Sequence, residues 1–249
     1  MPEDTQIGGA RQHFPTTRWS IIERTRSSQA EERQRALDGL ISAYWKPVYK
    51  YIRLHWKKEN EEAKDLTQEF FARLVEKNLL DRFDPSRARL RTYLRVCVDG
   101  LVMNEDKAAQ RVKRGGDVTL LPLDFETAEG ELKELPVAAT ADNPEELFSR
   151  EFARSLFGLA LERLRSECAA NGKTIHFQLL ELYDIEEGGR QLTYEDLARW
   201  SGIKTTDVIN HLAYARKEFR RIVLAELRTM TASEEEFRRE AHTLLGVKL

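Results

Sequence analysis

Apolar residues recur at helical spacing along most of the chain and almost nowhere alternate in twos. From Leu37, the positions Ile41, Tyr44, Val48, Tyr51 and His55 follow at alternating steps of four and three, the period of one helix face. Pro47 lies inside this run and predicts a kink or a restart, because proline has no N–H to donate. Upstream, FPTTRWSIIERT predicts a helix start, with Pro15, a capping Thr16 or Thr17 and an apolar Trp19, Ile22 pair. Residues 1–13 are polar and read as a frayed tail. The stretch DLTQEFFARLVEK, Asp65 to Lys77, sets Leu66, Phe70, Phe71, Leu74 and Val75 on one arc and Asp65, Gln68, Glu69, Ala72 and Glu76 on the other. DRFDPSRARL reads as a turn broken at Asp84-Pro85. Helical periodicity returns from Leu90 to about Arg114 and ends at Gly115-Gly116.

The pattern then stops. Asp117 to Glu151 holds ten acidic and two basic side chains and three prolines, with no sustained apolar period. Residues 117–143 therefore read as an acidic linker, and VTLLPLDF within them is a doubtful strand. A second helical block starts near Pro144, with Leu147, Phe148, Phe152, Leu156, Leu159, Leu164, Phe177, Leu180 and Tyr183 as its core. IEEGGRQ is a loop. The tail, MTASEEEFRREAHTLLGVKL, predicts one more short amphipathic helix capped by Ser233. The expected organisation is all-α, with helical domains at 14–116 and 144–228, the linker at 117–143 and a helical extension at 229–249.

Composition narrows the function classes. The chain has 249 residues, 33% charged and 41% hydrophobic, with a formal net charge of −2. This predicts a soluble chain with real cores, and excludes a protein that grips DNA by overall basicity. Any nucleic-acid role must rest on local patches. No apolar run approaches the roughly 20 residues of a membrane span, and no signal peptide is seen at the N-terminus, so a cytoplasmic location is expected. Cys97 and Cys168 sit inside amphipathic patterns and read as small buried hydrophobes, without metal or disulfide spacing. No cofactor or metal is expected.

Three stretches carry chemistry. In the first, Asp65 and Glu69 are like charges one turn apart on a strongly amphipathic helix, and only Glu69 to Arg73 forms the usual compensating pair. Such a face is either solvated or a dock for something basic. In the second, Asn104, Lys107, Arg111 and Arg114 line one side of a helix. Residues Arg87 to Arg114 carry eight basic and three acidic groups, with Tyr93 between Arg91 and Arg95. Basic stripes beside an aromatic suit single-stranded or partly melted nucleic acid, although a solvated basic face has the same pattern. The third, QLTYEDLARWSGIKTTDVINHLAYARKEFRRIV, begins with a capping box, Thr193 and Asp196. It continues through a short helix, a turn at Gly202 and a longer helix that Thr205 or Thr206 can cap. Val208, Leu212, Ala215 and Phe219 share the inner face; Thr206, Asn210, Ala213, Tyr214, Lys217 and Arg221 face outward. That is a helix-turn-helix layout with small, polar and basic groups fit for a major groove.

In this order the three stretches resemble a sigma factor of the sigma-70 family, and the extracytoplasmic-function type most of all. DLTQEFFARL is similar to the helix that docks on the clamp helices of RNA polymerase. The resemblance thus implies polymerase contacts at Asp65, Gln68, Glu69, Ala72, Arg73 and Glu76. RLRTYLRVCVDGLVMNEDKAAQRVKR is similar to the part that recognises and opens the −10 element, implying Arg91, Tyr93, Arg95, Asn104, Lys107, Arg111 and Arg114. YEDLARWSGIKTTDVINHLAYARKEFRR is similar to the −35 reader, implying Thr205, Thr206, Asn210, Ala213, Tyr214, Lys217 and Arg221. FPTTRW and FDPSRARLRTYL resemble a subset of these factors. Ile209 and His211 stand where many relatives carry basic residues, and Asp99-Gly100 where a polar pair such as Arg-Asn is frequent. The implied partners are core RNA polymerase and promoter DNA, with an anti-sigma factor or other regulator as a further candidate; no membrane is implied. The acidic linker suits a basic channel of the polymerase or a shield over the chain's own basic patches. The resemblance implies a binding protein and not an enzyme. A rival reading is a stand-alone helix-turn-helix regulator. An enzyme built on His176 and Glu181 is the other, and it lacks any ligand-spaced or nucleophile motif.

Overall fold

Helical spacing becomes helix over most of residues 21–109, 121–133, 143–185 and 192–248, which are described by a computed structural model; no strand occurs among them. In chain order these are α1 (Ile21–Thr25), α2 (Ala30–Leu54), α3 (Asn60–Glu76), a 3-10 turn (Leu79–Arg82) and α4 (Leu90–Ala109). Then follow α5 (Phe125–Lys133), α6 (Pro144–Ala170), and α7 (Thr174–Leu180) leading into a π turn (Glu181–Ile185). The series ends with α8 (Tyr194–Ser201), α9 (Thr205–Thr229) and α10 (Glu234–Leu245). The all-α expectation holds.

Local rules account for most boundaries. Asn143 accepts a hydrogen bond from the Glu145 amide at 3.0 Å, and Pro144 opens α6 where its missing N–H costs nothing. Ser233 accepts from the Glu236 amide at 3.1 Å, and Glu236 in turn accepts from the Ala232 amide at 2.8 Å, so α10 is closed at its start as expected. Pro47 neither ends nor restarts α2, which runs as one helix through it. Of the arc predicted for α3, Leu66, Phe70, Phe71 and Leu74 are buried, but Val75 is 40% exposed because it lies at the edge of the stripe. The capping predicted at Thr16 or Thr17, the Gly115-Gly116 stop and the 186–191 part of the IEEGGRQ loop lie outside the described residues.

Aromatic contacts join the two expected blocks. Tyr44 of α2 stacks on Phe152 of α6 with ring centroids 4.8 Å apart, and Tyr51 meets Phe148 edge-on at 5.5 Å. One apolar core therefore runs from Ile22 to Ala241 and takes in α2, α3, α4, α6, α9 and α10. Leu179, Leu197, Val208 and Leu212 form a smaller core beneath the helix-turn-helix.

The linker holds the largest departure from expectation. Residues 125–133 form α5, seated on α2. The Phe125 ring meets Trp45 at 5.6 Å and Tyr49 at 5.2 Å, and Ala128 is fully buried. Glu129 accepts from Arg53 at 2.8 and 3.1 Å and from the Tyr49 hydroxyl at 2.6 Å. Glu131 accepts from Lys46 at 2.5 Å and Lys50 at 2.6 Å. Glu129 and Glu131 thus pair with cations of α2, not with the basic stretch of α4. The described part of VTLLPLDF, 121–125, is irregular chain entering a helix and not a strand.

Candidate partner and nucleic-acid interfaces

Helix α3 presents its carboxylates unevenly. Asp65 and Glu76 are exposed, whereas Glu69 and Ala72 are half-buried. Glu69 accepts from Arg73, which also donates to Glu105 of α4 at 2.8 Å. Gln68, expected on the open face, is only 7% exposed. Its amide nitrogen donates to the Leu121 carbonyl at 2.8 Å and its amide oxygen accepts from the Leu121 N–H at 2.8 Å. The side chain copies a backbone pairing and fixes the start of the α5 segment to α3. The open part of the acidic face is the edge marked by Asp65 and Glu76, with Glu61 and Glu62 in the turn before it.

Helix α4 divides the predicted basic stretch into an inner and an outer set. Arg91 is 3% exposed and points inward, donating to Glu240 of α10 at 2.7 Å. The resemblance implied a −10 contact for Arg91, and the fold instead encloses it: its partner lies 149 residues away, beyond the reach of any local pattern. Arg95 donates to Asp99 at 2.7 Å and to Glu145 of α6 at 2.9 Å. Tyr93 donates its hydroxyl to the Leu79 carbonyl at 2.6 Å, and its ring lies against Phe83 at 5.3 Å. Burial, with the Cys97 thiol beside it, pushes the Tyr93 hydroxyl up to about 12. Tyr93 is thus half-buried support for the 3-10 turn and not a free stacking platform. Outward, Val96, Met103 and Asn104 are exposed, and nothing lies within 4 Å of a Cβ built at Gly100. Lys107 lies on α4; Arg111 and Arg114 lie outside the described residues.

The helix-turn-helix forms as the pattern requires. Thr193 accepts from the Asp196 amide at 3.2 Å and Asp196 accepts from the Thr193 amide at 2.9 Å, the two halves of a capping box. Gly202 closes α8 at φ +71°, a left-handed conformation that glycine adopts without a Cβ clash. Neither Thr205 nor Thr206 caps α9; Lys204 occupies that position without a side-chain bond, and both threonines sit in the first turn. Val208, Leu212 and Ala215 are buried, while Thr206, Asn210, Ala213 and Lys217 are exposed. Thr205 is half-buried. Tyr214 is held from behind, with the Lys173 ammonium 3.9 Å from its ring centre and His176 at 5.1 Å. Arg221 is engaged by Glu218 at 2.6 Å and Glu167 at 2.7 Å.

Two supports of α9 escaped the sequence reading. Arg216 makes a two-pronged pair with Asp184 at 2.8 Å on each arm, tying α9 to the π turn. His211 stacks on His176 of α7 at 3.9 Å. Burial, with His211 and Lys173 nearby, keeps His176 below the usual imidazole range. Glu181, considered with His176 for an enzyme, accepts from Arg165 at 2.8 Å. Among the described residues no group of three potential metal ligands occurs, and no helix is long and apolar enough to cross a membrane.

Residues 40–112 match the family model Sigma-70 region 2, a stretch that begins in α2, contains all of α3 and passes beyond the end of α4. The match covers the acidic helix and the basic stretch and leaves α5 to α10 outside it. It supports a sigma-70 family member with a role in promoter recognition and transcription initiation. Comparison with curated proteins and with solved structures gave no match.

Proposed function

We propose that the chain is a sigma factor of the extracytoplasmic-function type, a non-enzymatic subunit that binds core RNA polymerase and directs it to promoters. The observation carrying this reading is the order of three surfaces. An acidic edge on α3 and an outward face on α4 that includes Asn104 lie within the region 2 match, and a helix-turn-helix follows downstream. Asp65, Glu69 and Glu76, with Ala72 and Arg73, meet basic side chains of the polymerase. Charge complementarity of this kind sets encounter rate and register more than raw affinity. Asn104, Lys107, Arg111 and Arg114 engage the −10 strand. Thr206, Asn210, Ala213 and Lys217 enter the −35 groove, where the first turns of the helix reach base edges and the basic residue meets phosphate.

The test is Asp65→Arg combined with Glu69→Arg. Both positions lie off the core of α3, so helicity by circular dichroism stays at the wild-type level while capture by purified core polymerase at low salt is lost. A folded variant that binds polymerase as the wild type does refutes the docking assignment. Tight operator binding by the isolated chain, with no affinity for polymerase, establishes the stand-alone regulator instead.

A further inference from the structure

We infer that Ile209 is a further base-reading residue of the helix-turn-helix, and that with Ala213 it recognises thymine through the 5-methyl group. The inference deepens the −35 assignment and rests on it. Ile209 is the one large apolar side chain of α9 that is exposed, at 46%, while Val208 and Leu212 on the inner side are buried in the small core. Residues three and four apart on a helix are neighbours, with Cβ atoms about 5–6 Å apart. Thr206, Ile209, Asn210 and Ala213 are linked by those steps, and all four are exposed. They make one continuous patch near the start of the helix, wide enough to face about two base pairs at about 3.4 Å each.

The chemistry of the patch is specific. Between Lys204 and Arg216 the chain has no lysine or arginine, so the bidentate cation that selects guanine is missing from it. His211 does not replace it, because its ring is stacked on His176 of α7 at 3.9 Å. Asp207 is half-buried and about 160° around the helix from Ile209. Arg216 is held by Asp184 at 2.8 Å, and Lys217 follows one turn after Ala213. What remains is one amide, on Asn210, among three side chains that end in methyl groups. Asparagine pairs with N6 and N7 of adenine, and the thymine methyl is the apolar group on the major-groove edge of a base pair. An isoleucine left in water gains by covering that methyl and gains no such contact on a cytosine edge. Both contacts select A·T pairs. The patch is also firmly mounted. The Thr193–Asp196 box, the Gly202 turn and the Arg216–Asp184 pair fix α9 behind it.

The test uses the full chain bound to core polymerase. Duplexes with a randomised −35 segment are selected by this complex. Each thymine of the selected segment is then replaced singly by deoxyuridine, which removes the methyl and leaves every hydrogen-bonding group in place. One or two of these replacements are expected to weaken capture about fourfold each, the worth of one buried methyl. Ile209→Ala keeps its helicity, loses about the same factor on thymine DNA and becomes indifferent to deoxyuridine at one position, whereas Ile209→Val stays sensitive there. A wild type indifferent to every deoxyuridine overturns the inference, as does a selected segment without thymine. So does an Ile209→Ala chain that keeps the wild-type sensitivity at every position, whatever its overall affinity. If the chain has no affinity for polymerase, the same comparison is made with the isolated chain. Deoxyuridine sensitivity that Ile209→Ala removes there supports the base reading while refuting the sigma reading beneath it. An isolated chain that then selects no sequence overturns both.

Discussion

Replacing Gln68 with alanine isolates the junction between α3 and the acidic segment. The wild-type side chain gives and receives one hydrogen bond with Leu121, both 2.8 Å long. Each neutral bond contributes about 1 kcal/mol net. Leu121 is only half-buried, so water replaces the lost partner without a large desolvation penalty. Alanine also favours the helix by a few tenths of a kcal/mol over glutamine, and α3 itself is retained. The local cost is thus about 2 kcal/mol, which corresponds to roughly thirtyfold more frequent opening at 1.4 kcal/mol per factor of ten. Native-state hydrogen exchange at the Leu121 amide reads this directly, because that N–H donates to Gln68. Global unfolding in denaturant changes far less, since the core around Phe70 and Phe71 is untouched. Gln68→Glu keeps an acceptor for the N–H but turns a second oxygen toward the Leu121 carbonyl, so it opens the junction further. If Leu121 exchanges within threefold of the wild-type rate in both variants, Gln68 does not hold the segment and the account of α5 docking fails.

Acid should detach α5. The Arg53 hydrogen bonds, with help from Tyr49, hold the Glu129 carboxyl below its usual range; burial pushes Glu131 up, but the bonds from Lys46 and Lys50 prevail and lower it too. Carboxyls depressed in the folded state stabilise it above their unfolded values, near 4.3, and lose that contribution as pH falls through the depressed folded values. Carboxyl carbon shifts of Glu129 and Glu131, followed by NMR from neutral pH downward, should titrate below the ordinary glutamate range together with loss of α5; titration at the ordinary value contradicts the pairing. Thr193→Ala removes the capping box that opens α8 and should cost about 1 kcal/mol, seen as a lower denaturation midpoint for the helix-turn-helix amides. An unchanged midpoint means that Leu197 packing alone sets the start of α8.

Signals carried within one or two turns were legible in advance. The buried stripe of α3 depends on spacing alone, and so do the Thr193–Asp196 box, the Gly202 turn and the Ser233 cap; the last three are present, and so is the stripe apart from Val75 at its edge. Signals that need a distant partner were not. Nothing near Arg91 reveals a carboxylate 149 positions away, so a residue inside a basic run suits a nucleic-acid contact on pattern alone and is almost fully buried in the fold. Helix α5 was missed for the same reason. Its acids look like those of a solvated linker until Lys46, Lys50 and Arg53 face them from α2. Tyr93 and Gln68 present polar tips that suit binding, and the fold uses those tips on backbone groups of its own.

Helix α6 is 27 residues long, and at about 1.5 Å per residue it spans roughly 40 Å. Its first half carries Phe148 and Phe152 against α2, and its second half carries Leu164 and Cys168 beneath the rest of the second block. An unbroken helix of that length ties the packing at its Asn143 end to the packing at its Ala170 end. A shift at one end of α6 is therefore carried rigidly to the other, and the packing around Phe148 and Phe152 and that around Leu164 and Cys168 are mechanically one unit.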